Sequence, residues 1–220
     1  MAVYSSRYNY LFLCGPLCAA QTVQRVLLAE LDGELLPPQD VVRNGKVLAK
    51  KQATTYKMLL LAELLSQDEL DQALKFSIVR NPFDLLAARY LRRLGELGQA
   101  PRHAAKSGGD PVALQAAAEL SFHDWLQQAH EAQITQGTPA KGQAAFTDKA
   151  DLLMRYEDLQ AGFDQVLARL GVKQPVLLFP DADRPPPPPL DYRPLYTPQD
   201  RALVEQLYAA VLERHGYRFS

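Results

Sequence analysis

The sequence lacks three features that would at once narrow the range of possible functions: an excess of one charge, a set of paired cysteines and a long apolar run. Its 24 Lys and Arg residues are balanced by 25 Asp and Glu residues, so no broad electrostatic field attracts nucleic acid or an anionic membrane. Its two cysteines, Cys14 and Cys18, cannot cross-link a chain of 220 residues, which is typical of a reducing compartment. Any anion-binding site must therefore be local.

The N-terminus and the overall composition are those of a globular protein. The polar and aromatic stretch from Val3 to Tyr10 lacks the charged-then-apolar order of a signal peptide, and no apolar run approaches a membrane span. We therefore expect a soluble, cytoplasmic protein with no integral membrane segment and no nucleic-acid partner. With 47% hydrophobic residues, residues 1–220 are expected to form a single α/β domain. The oligomeric state is left open.

An arginine stands between a predicted strand and a predicted helix in the middle of the chain. Residues 76–79 form a short apolar run that is typical of a buried strand, and Pro82 suits the first turn of a helix. Apolar residues then recur with helical spacing at Phe83, Leu86, Ala87, Tyr90, Leu91 and Leu94. Arg80 thus occupies the carboxyl end of a strand, where α/β sheets bind anionic ligands. A salt bridge at the strand end is the alternative interpretation.

Two other predicted strands also end in loops of chemical interest. Residues 10–14 are followed by Gly15-Pro16 and a helix, which is the arrangement of a phosphate-binding loop or of an ordinary strand-to-helix connection. Residues 150–156 precede a helix that begins at Glu157 and Asp158. Three buried strands interleaved with helices predict a three-layer α/β fold with a parallel sheet and flanking helices. The ligand site should lie at the carboxyl edge of that sheet.

The remaining patterns predict connections and peripheral helices. Asn44-Gly45 is a turn signal, and Thr197 followed by Pro198 and Asp200 predicts the start of the last helix. Further helices are predicted over residues 53–65, 67–74 and 112–134. Loops are predicted over residues 35–42, 95–110 and 136–147, and a stiff polyproline connector over residues 185–189.

Three blocks of the sequence resemble, in order and spacing, the carbohydrate-type sulfotransferases (sulfotransferase family 2). They are residues 76–84 (FSIVRNPFD), residues 154–159 (MRYEDL) and the C-terminal residues 203–219. The resemblance covers most of the chain, loosely in the middle. It implies a P-loop NTPase-like α/β fold and an enzyme that needs no metal. Such an enzyme transfers a sulfuryl group from 3′-phosphoadenosine 5′-phosphosulfate (PAPS) to a hydroxyl of a glycan or small-molecule acceptor.

The resemblance also implies roles for individual residues in binding PAPS or its desulfonated product PAP. Arg80 would bind the 3′-phosphate, and the loop after the first strand would wrap the 5′-phosphosulfate. The loop residues concerned are Gly15, Pro16, Cys18, Ala19, Ala20, Gln21 and Thr22. Sulfuryl transfer requires positioned cations and N–H donors rather than covalent catalysis, which fits such a loop. Cys18 has two further interpretations, a reactive thiol near a helix N-terminus or a small buried side chain.

The chain departs from the family at three positions that support catalysis. Leu17 replaces the loop lysine, Ala88 replaces a serine that contacts phosphate, and Gln52 replaces a histidine. Removal of one transition-state donor costs about 100- to 1,000-fold in rate. A second hypothesis therefore stands beside the enzyme: a sulfotransferase-fold binding protein with little or no turnover. A nucleotide kinase is disfavoured because the Walker A lysine motif is incomplete.

Other residues could replace the lost groups. Lys50 or Lys51 could supply the cation that Leu17 does not, and Arg92, one helical turn after Ala88, or Arg89 beside it could reach a phosphate. Three residues are candidates for the base that accepts the proton of the acceptor hydroxyl, and each could instead have a purely structural role: Glu157, His123 and His130.

Overall fold

The computed structural model describes residues 2–98, 120–140, 143–179 and 190–220. These residues divide into two compact units. The first unit contains residues 2–80 and 143–179, and the second contains residues 81–98, 120–140 and 190–220. Each unit contains a hydrophobic cluster of its own. The expectation of a single domain stays a prediction.

The first unit is built on a five-stranded mixed sheet and a separate β-hairpin. The strands are β1 (Ala2–Ser5), β2 (Tyr10–Leu13), β3 (Glu34–Leu36), β4 (Val41–Arg43), β5 (Lys46–Ala49), β6 (Leu74–Val79) and β7 (Leu152–Arg155). The sheet has the order β3-β1-β2-β6-β7, and β4 pairs only with β5 among the described strands. The neighbours β2, β6 and β7 run parallel, whereas β1 is antiparallel to both β2 and β3. The middle parallel strand is therefore β6.

The helices of the described residues fall in both units. In chain order they are α1 (Ala20–Glu30), α2 (Tyr56–Leu61), α3 (Gln67–Gln72), α4 (Pro82–Gly98), α5 (Phe122–Ala129), α6 (Glu131–Gln136), α7 (Ala144–Thr147), α8 (Leu159–Arg169), α9 (Pro198–Leu207) and α10 (Ala209–His215). Short 3₁₀ turns cover Tyr156–Asp158 and Arg193–Leu195. The first unit holds α1, α2, α3, α7 and α8. None of the described helices is both long and apolar enough to cross a membrane.

Successive side chains of β2 face opposite sides of the sheet, as strand geometry requires. The ring of Tyr10 lies 5.7 Å from that of Phe76, and its hydroxyl donates to the Leu27 carbonyl of α1 at 3.4 Å. The next residue, Leu11, packs on the other face in a cluster with residues of α2 and α3. Those partners include Leu59 and Leu70. Helices thus cover both faces of the sheet.

The α/β class is confirmed, but the sheet is mixed rather than purely parallel. Only residues 6–9 connect β1 to β2, and a parallel connection needs a crossover of a dozen or more residues. The two strands must therefore run antiparallel. The predicted loop at residues 35–42 is wrong in part, because β3 ends within it and β4 begins within it. Both of these strands have only three residues, which is too short to show a periodic pattern.

Several predicted boundaries differ from the structure. The helix expected from residue 53 begins at Tyr56, and the predicted loop at residues 136–147 contains α7. Residues 95–98 are helical, whereas residues 99–110 and the polyproline stretch at 185–189 lie outside the described residues. Within the predicted helix at 112–134, the described part is broken at His130, which ends α5 and precedes α6.

The second unit packs its helices around aromatic side chains. Its cluster includes Phe83, Tyr90, Phe122, Trp125, Tyr192, Val204 and Tyr208. The predicted cap of α9 is confirmed: the Thr197 hydroxyl accepts from the Asp200 N–H, and the Asp200 carboxylate accepts from the Thr197 N–H. Asn81 also anchors the C-terminal residues, since its Nδ2 donates to the Arg218 carbonyl at 3.0 Å.

Gly162 sets the distance between α8 and β7. A Cβ added there would lie 2.8 Å from the Met154 Cβ, closer than real side chains approach. We predict that Gly162→Ala lowers the free energy of unfolding by about 1 to 3 kcal/mol, the usual cost of overpacking. In α4 a Cβ at Gly95 meets nothing within 4 Å, so Gly95→Ala should instead stabilise by up to about 1 kcal/mol. Chemical denaturation of both variants measures the difference, and equal effects would contradict the close contact.

Candidate functional site

Arg80 follows β6 and lies between the loops after its two parallel neighbours. The residue is 6% exposed. Its guanidinium Nη1 donates to the carbonyl of Leu17, in the loop after β2. Its Cζ lies 4.0 Å from the ring centroid of Tyr156, which follows β7. The carboxyl ends of the three parallel strands therefore meet around one buried cation. The sequence predicts a ligand site at this sheet edge, and ligand binding there stays a prediction.

The backbone of Arg80 is held by Gln143, a residue that the sequence analysis did not select. The Gln143 Nε2 donates to the Arg80 carbonyl at 2.6 Å, and the Arg80 N–H donates to Gln143 Oε1 at 2.8 Å. Gln143 is 5% exposed. Its amide therefore gives Arg80 the same donor and acceptor that a neighbouring strand would give. Gln143 lies in a segment without periodicity, so no sequence signal marks it.

The loop between β2 and α1 contains two non-glycine residues in the left-handed region. Leu17 has a φ of 63° and Ala19 a φ of 53°, and each such residue costs about 1 to 2 kcal/mol. Gly15 lies in the same loop beside the Phe146 ring, where an added Cβ would lie 3.1 Å from a ring carbon. The loop is thus closely packed, and the Arg80 contact to the Leu17 carbonyl helps to hold its conformation.

The other loop residues selected from the sequence lie around the start of α1. Ala19 is the N-cap of this helix, and its methyl side chain makes no capping hydrogen bond. Thr22 N–H donates to the Ala19 carbonyl at 3.0 Å. Pro16 and Gln21 are exposed, and Ala20 is buried. The N-terminus of α1 therefore carries the partial positive charge of the helix dipole without a cap from its N-cap side chain.

The two cysteines are buried neighbours in this loop. Cys14 and Cys18 are each 1% exposed, and the Cys18 thiol contacts Gln143 Oε1 at 3.8 Å. Burial, together with the adjacent Cys18 side chain, raises the pKa of the Cys14 thiol well above its ordinary value. A buried thiol that stays protonated is a poor nucleophile, so this geometry favours a packing role for Cys14. The burial of Cys18 favours the second of its two interpretations, a small buried side chain.

Lys50, Lys51 and Glu157 are exposed, and their catalytic roles stay predictions. Lys50 and Lys51 lie between β5 and α2. The Lys51 N–H donates to the Asp40 carboxylate at 2.9 Å, and the Lys50 carbonyl accepts from the Thr54 hydroxyl. Glu157 lies in the 3₁₀ turn that follows β7.

The remaining selected residues belong to the second unit. Ala88 is half-buried and Arg92 exposed on α4. His130 is buried: its Nδ1 lies 3.1 Å from the Leu126 carbonyl and its Nε2 lies 2.9 Å from the Tyr208 hydroxyl. A carbonyl only accepts, so Nδ1 carries the proton, and burial lowers the pKa of His130. These contacts give His130 a structural role.

His123 differs from His130 because it is partly open to solvent. Its side chain is 43% exposed, and its Nδ1 lies 2.6 Å from the buried Asp200 carboxylate. This pair connects α5 to the capped start of α9. Such a carboxylate fixes the orientation of an imidazole, so His123 keeps both interpretations, a base and a structural partner.

Comparisons with known proteins identify no relative of this chain: no protein-family model, no curated protein and no solved structure matches it. The sulfotransferase resemblance therefore rests on the residues of the three blocks alone. The α/β class rests on the strands and helices themselves.

Substitution of Gln143 tests directly how the backbone of Arg80 is held at the end of β6. We predict that Gln143→Leu lowers the free energy of unfolding by about 2 to 5 kcal/mol, because it removes the hydrogen bonds that the Gln143 amide makes to the buried N–H and the buried carbonyl of Arg80. Gln206→Leu, at an exposed position of α9, is the matched control and should change stability by less than about 0.5 kcal/mol. Similar unfolding curves for the two variants would show that the amide contributes little.

Proposed function

We propose that this protein is a PAPS-dependent sulfotransferase that transfers a sulfuryl group to a hydroxyl of a glycan or small-molecule acceptor. The observation that carries the proposal is the position of Arg80, a buried guanidinium at the carboxyl end of the middle parallel strand. Open α/β sheets bind their ligands at this edge. The three ordered sequence blocks supply the choice of PAPS over other anionic ligands.

The residues at this edge fit the anionic groups of PAPS in part. A guanidinium carries five N–H donors in a planar fork that suits a phosphate, so Arg80 would hold the 3′-phosphate. The N-terminus of α1, which the Ala19 side chain does not cap, would favour the 5′-phosphosulfate through its N–H groups and dipole. The loop supplies no cation, because Leu17 stands where the family has lysine.

PAPS supplies an activated sulfuryl group when it is bound, and the protein supplies position and charge. Lys50 and Lys51 directly precede Gln52, which stands where the family has a histidine. We assign one of these lysines to stabilise the negative charge of the leaving phosphate. We assign Glu157, an exposed carboxylate directly after Tyr156, to accept the proton of the acceptor hydroxyl. No covalent intermediate on the protein is needed.

A second candidate is a binding protein that keeps the nucleotide site without turnover. It is favoured by one specific observation: the carbonyl of Leu17 accepts a hydrogen bond from Arg80, and the Leu17 side chain is apolar. The loop is therefore held by an internal contact at the residue where the family places its catalytic cation. Phosphate binding can survive such a change better than transition-state stabilisation can.

Arg80 tests the cofactor assignment. PAP should raise the melting temperature of the wild type more than equal concentrations of ATP or sulfate do. We predict that Arg80→Gln weakens PAP binding by about 10- to 150-fold in titration calorimetry, the range for loss of a hydrogen bond to a charged group. The PAP affinity of Arg80→Lys should lie between those of the wild type and Arg80→Gln, because lysine keeps the charge without the planar fork of donors.

The matched control is Arg43→Gln, which removes an exposed arginine that pairs with Glu63 at 3.2 Å on the hairpin. It should leave the PAP affinity within about twofold of wild type, because an exposed pair contributes little. Circular dichroism verifies that each variant is folded before titration. A wild-type protein that PAP does not stabilise, or an Arg80→Gln variant with wild-type affinity, would remove the basis of the proposal.

Restoring the family residues separates the two candidates. If the protein binds without turnover, Leu17→Lys combined with Ala88→Ser should raise PAP affinity or create PAPS-dependent sulfuryl transfer to a panel of hydroxylated acceptors. If the wild type is already an enzyme, the same assay detects its turnover, and Leu17→Lys should raise kcat by up to about 100-fold. No effect on either affinity or turnover would mean that the loop serves a different ligand.

A further inference from the structure

The hairpin formed by β4 and β5 presents apolar side chains to solvent. Val42 and Val47 are directly paired across the two strands, so they lie on the same face. They are 57% and 48% exposed. Asn44 and Gly45 at its tip both have positive φ, which forms a tight hairpin turn, and the pairing register shifts between Val41 and Val42. Among the described strands none pairs with the outer edge of β4, so its backbone groups are available there.

The hairpin is fixed to the rest of the first unit. Two Arg43 guanidinium nitrogens donate to the two carboxylate oxygens of Glu63, at 3.4 Å and 3.2 Å. Glu63 follows α2, which packs against β5. Leu61, the last residue of α2, is itself 56% exposed. The apolar side chains therefore lie on a defined surface rather than on a free arm.

The same region carries a local excess of positive charge. From Val41 to Ala62 the sequence has five basic residues and no acidic residue, although the whole chain has a net charge of −1. Four of them are exposed lysines, Lys46, Lys50, Lys51 and Lys57. Within the described residues, none of these lysines forms an ion pair. The acidic residues that flank this stretch are Asp40, which accepts from the Lys51 N–H, and Glu63, which pairs with Arg43. An excess of positive charge therefore remains on the lysines, and such an excess favours an anionic partner.

We propose that this hairpin surface, made of Val42, Val47 and the four lysines, docks an acidic, extended segment of a partner protein. The segment lies along the outer edge of β4 as an added strand, so main-chain hydrogen bonds supply affinity. Apolar side chains at alternate positions pack on the two valines, and the carboxylates between them face the lysines. This inference goes beyond the proposed nucleotide site and does not depend on it.

A peptide fits the surface better than other polyanions do. The centre of the surface is a pair of β-branched aliphatic side chains, whereas single-stranded nucleic acids stack on aromatic rings, and strands β4 and β5 contain none. Membrane-surface segments also rely on large aromatic and aliphatic side chains together with basic residues. An exposed strand edge beside β-branched side chains is instead the usual site of strand addition.

A fluorescein-labelled synthetic peptide of alternating Glu and Val, seven residues long, is the probe. Anisotropy titration with the full chain should show saturable binding that weakens as NaCl rises from about 0.05 to about 0.5 M, because exposed charges are screened. The double variant Val42→Thr, Val47→Thr keeps β-branched strand residues but loses apolar contact, and should weaken binding at least about fivefold. Lys46→Gln with Lys57→Gln should have a similar effect.

Lys149→Gln with Lys173→Gln is the matched control, since these lysines are exposed elsewhere in the same unit. It should leave the affinity for the Glu-Val peptide unchanged, and an alternating Lys-Val peptide should not bind. Absence of binding by the Glu-Val peptide, or equal losses in hairpin and control variants, would overturn the proposal. A third result would also overturn it: the protein binds phosphatidylserine vesicles, the hairpin variants lose this binding, and the Glu-Val peptide does not bind. PAP titration of the same variants reports separately on the nucleotide site.

Discussion

A buried guanidinium needs acceptors and a polarisable neighbour, and the first unit is arranged around this requirement at Arg80. The Leu17 carbonyl and the Tyr156 ring are the partners that come from the flanking strands, and the Gln143 amide fixes the backbone between them. Removal of a charge from water costs several kcal/mol unless such contacts offset it. The same contacts draw the loops after β2 and β7 to the end of β6. Structure and candidate chemistry therefore depend on one residue.

The parts of the fold that sequence predicted are those with a local cause. The apolar run before Arg80, the proline that opens α4 and the Thr197 cap each act within a few residues, and the structure has all three. The missed parts depend on partners distant in sequence. β1 is a strand because it pairs with β2 and β3, and Gln143 is important because Arg80, 63 residues earlier, needs a donor and an acceptor. No periodicity reports such pairings.

In the proposed PAPS site, the loop after β2 illustrates how binding and turnover can separate. Ground-state affinity for a phosphate requires N–H donors and a cation in contact with it, whereas rate requires groups that bind the transition state more tightly than the substrate. In the proposed PAPS site, Arg80 and the start of α1 would belong to the first class. The position of Leu17 would belong to the second, and an apolar side chain there contributes no charge. Under the proposed function, the chain would therefore have more of what binding requires than of what catalysis requires.

Lys50 and Lys51 take part in both proposals, which couples them. As replacements for the loop cation they would stabilise a leaving phosphate, and as part of the hairpin surface they would face carboxylates of a partner. An acidic segment that pairs with these lysines lowers the local positive potential. It therefore weakens the binding of any anion that is held by the same lysines. Thermodynamic linkage makes the effect reciprocal, so bound nucleotide must weaken the binding of the acidic segment by the same factor. A partner docked on the hairpin would thus oppose occupancy of the nucleotide site through charge alone.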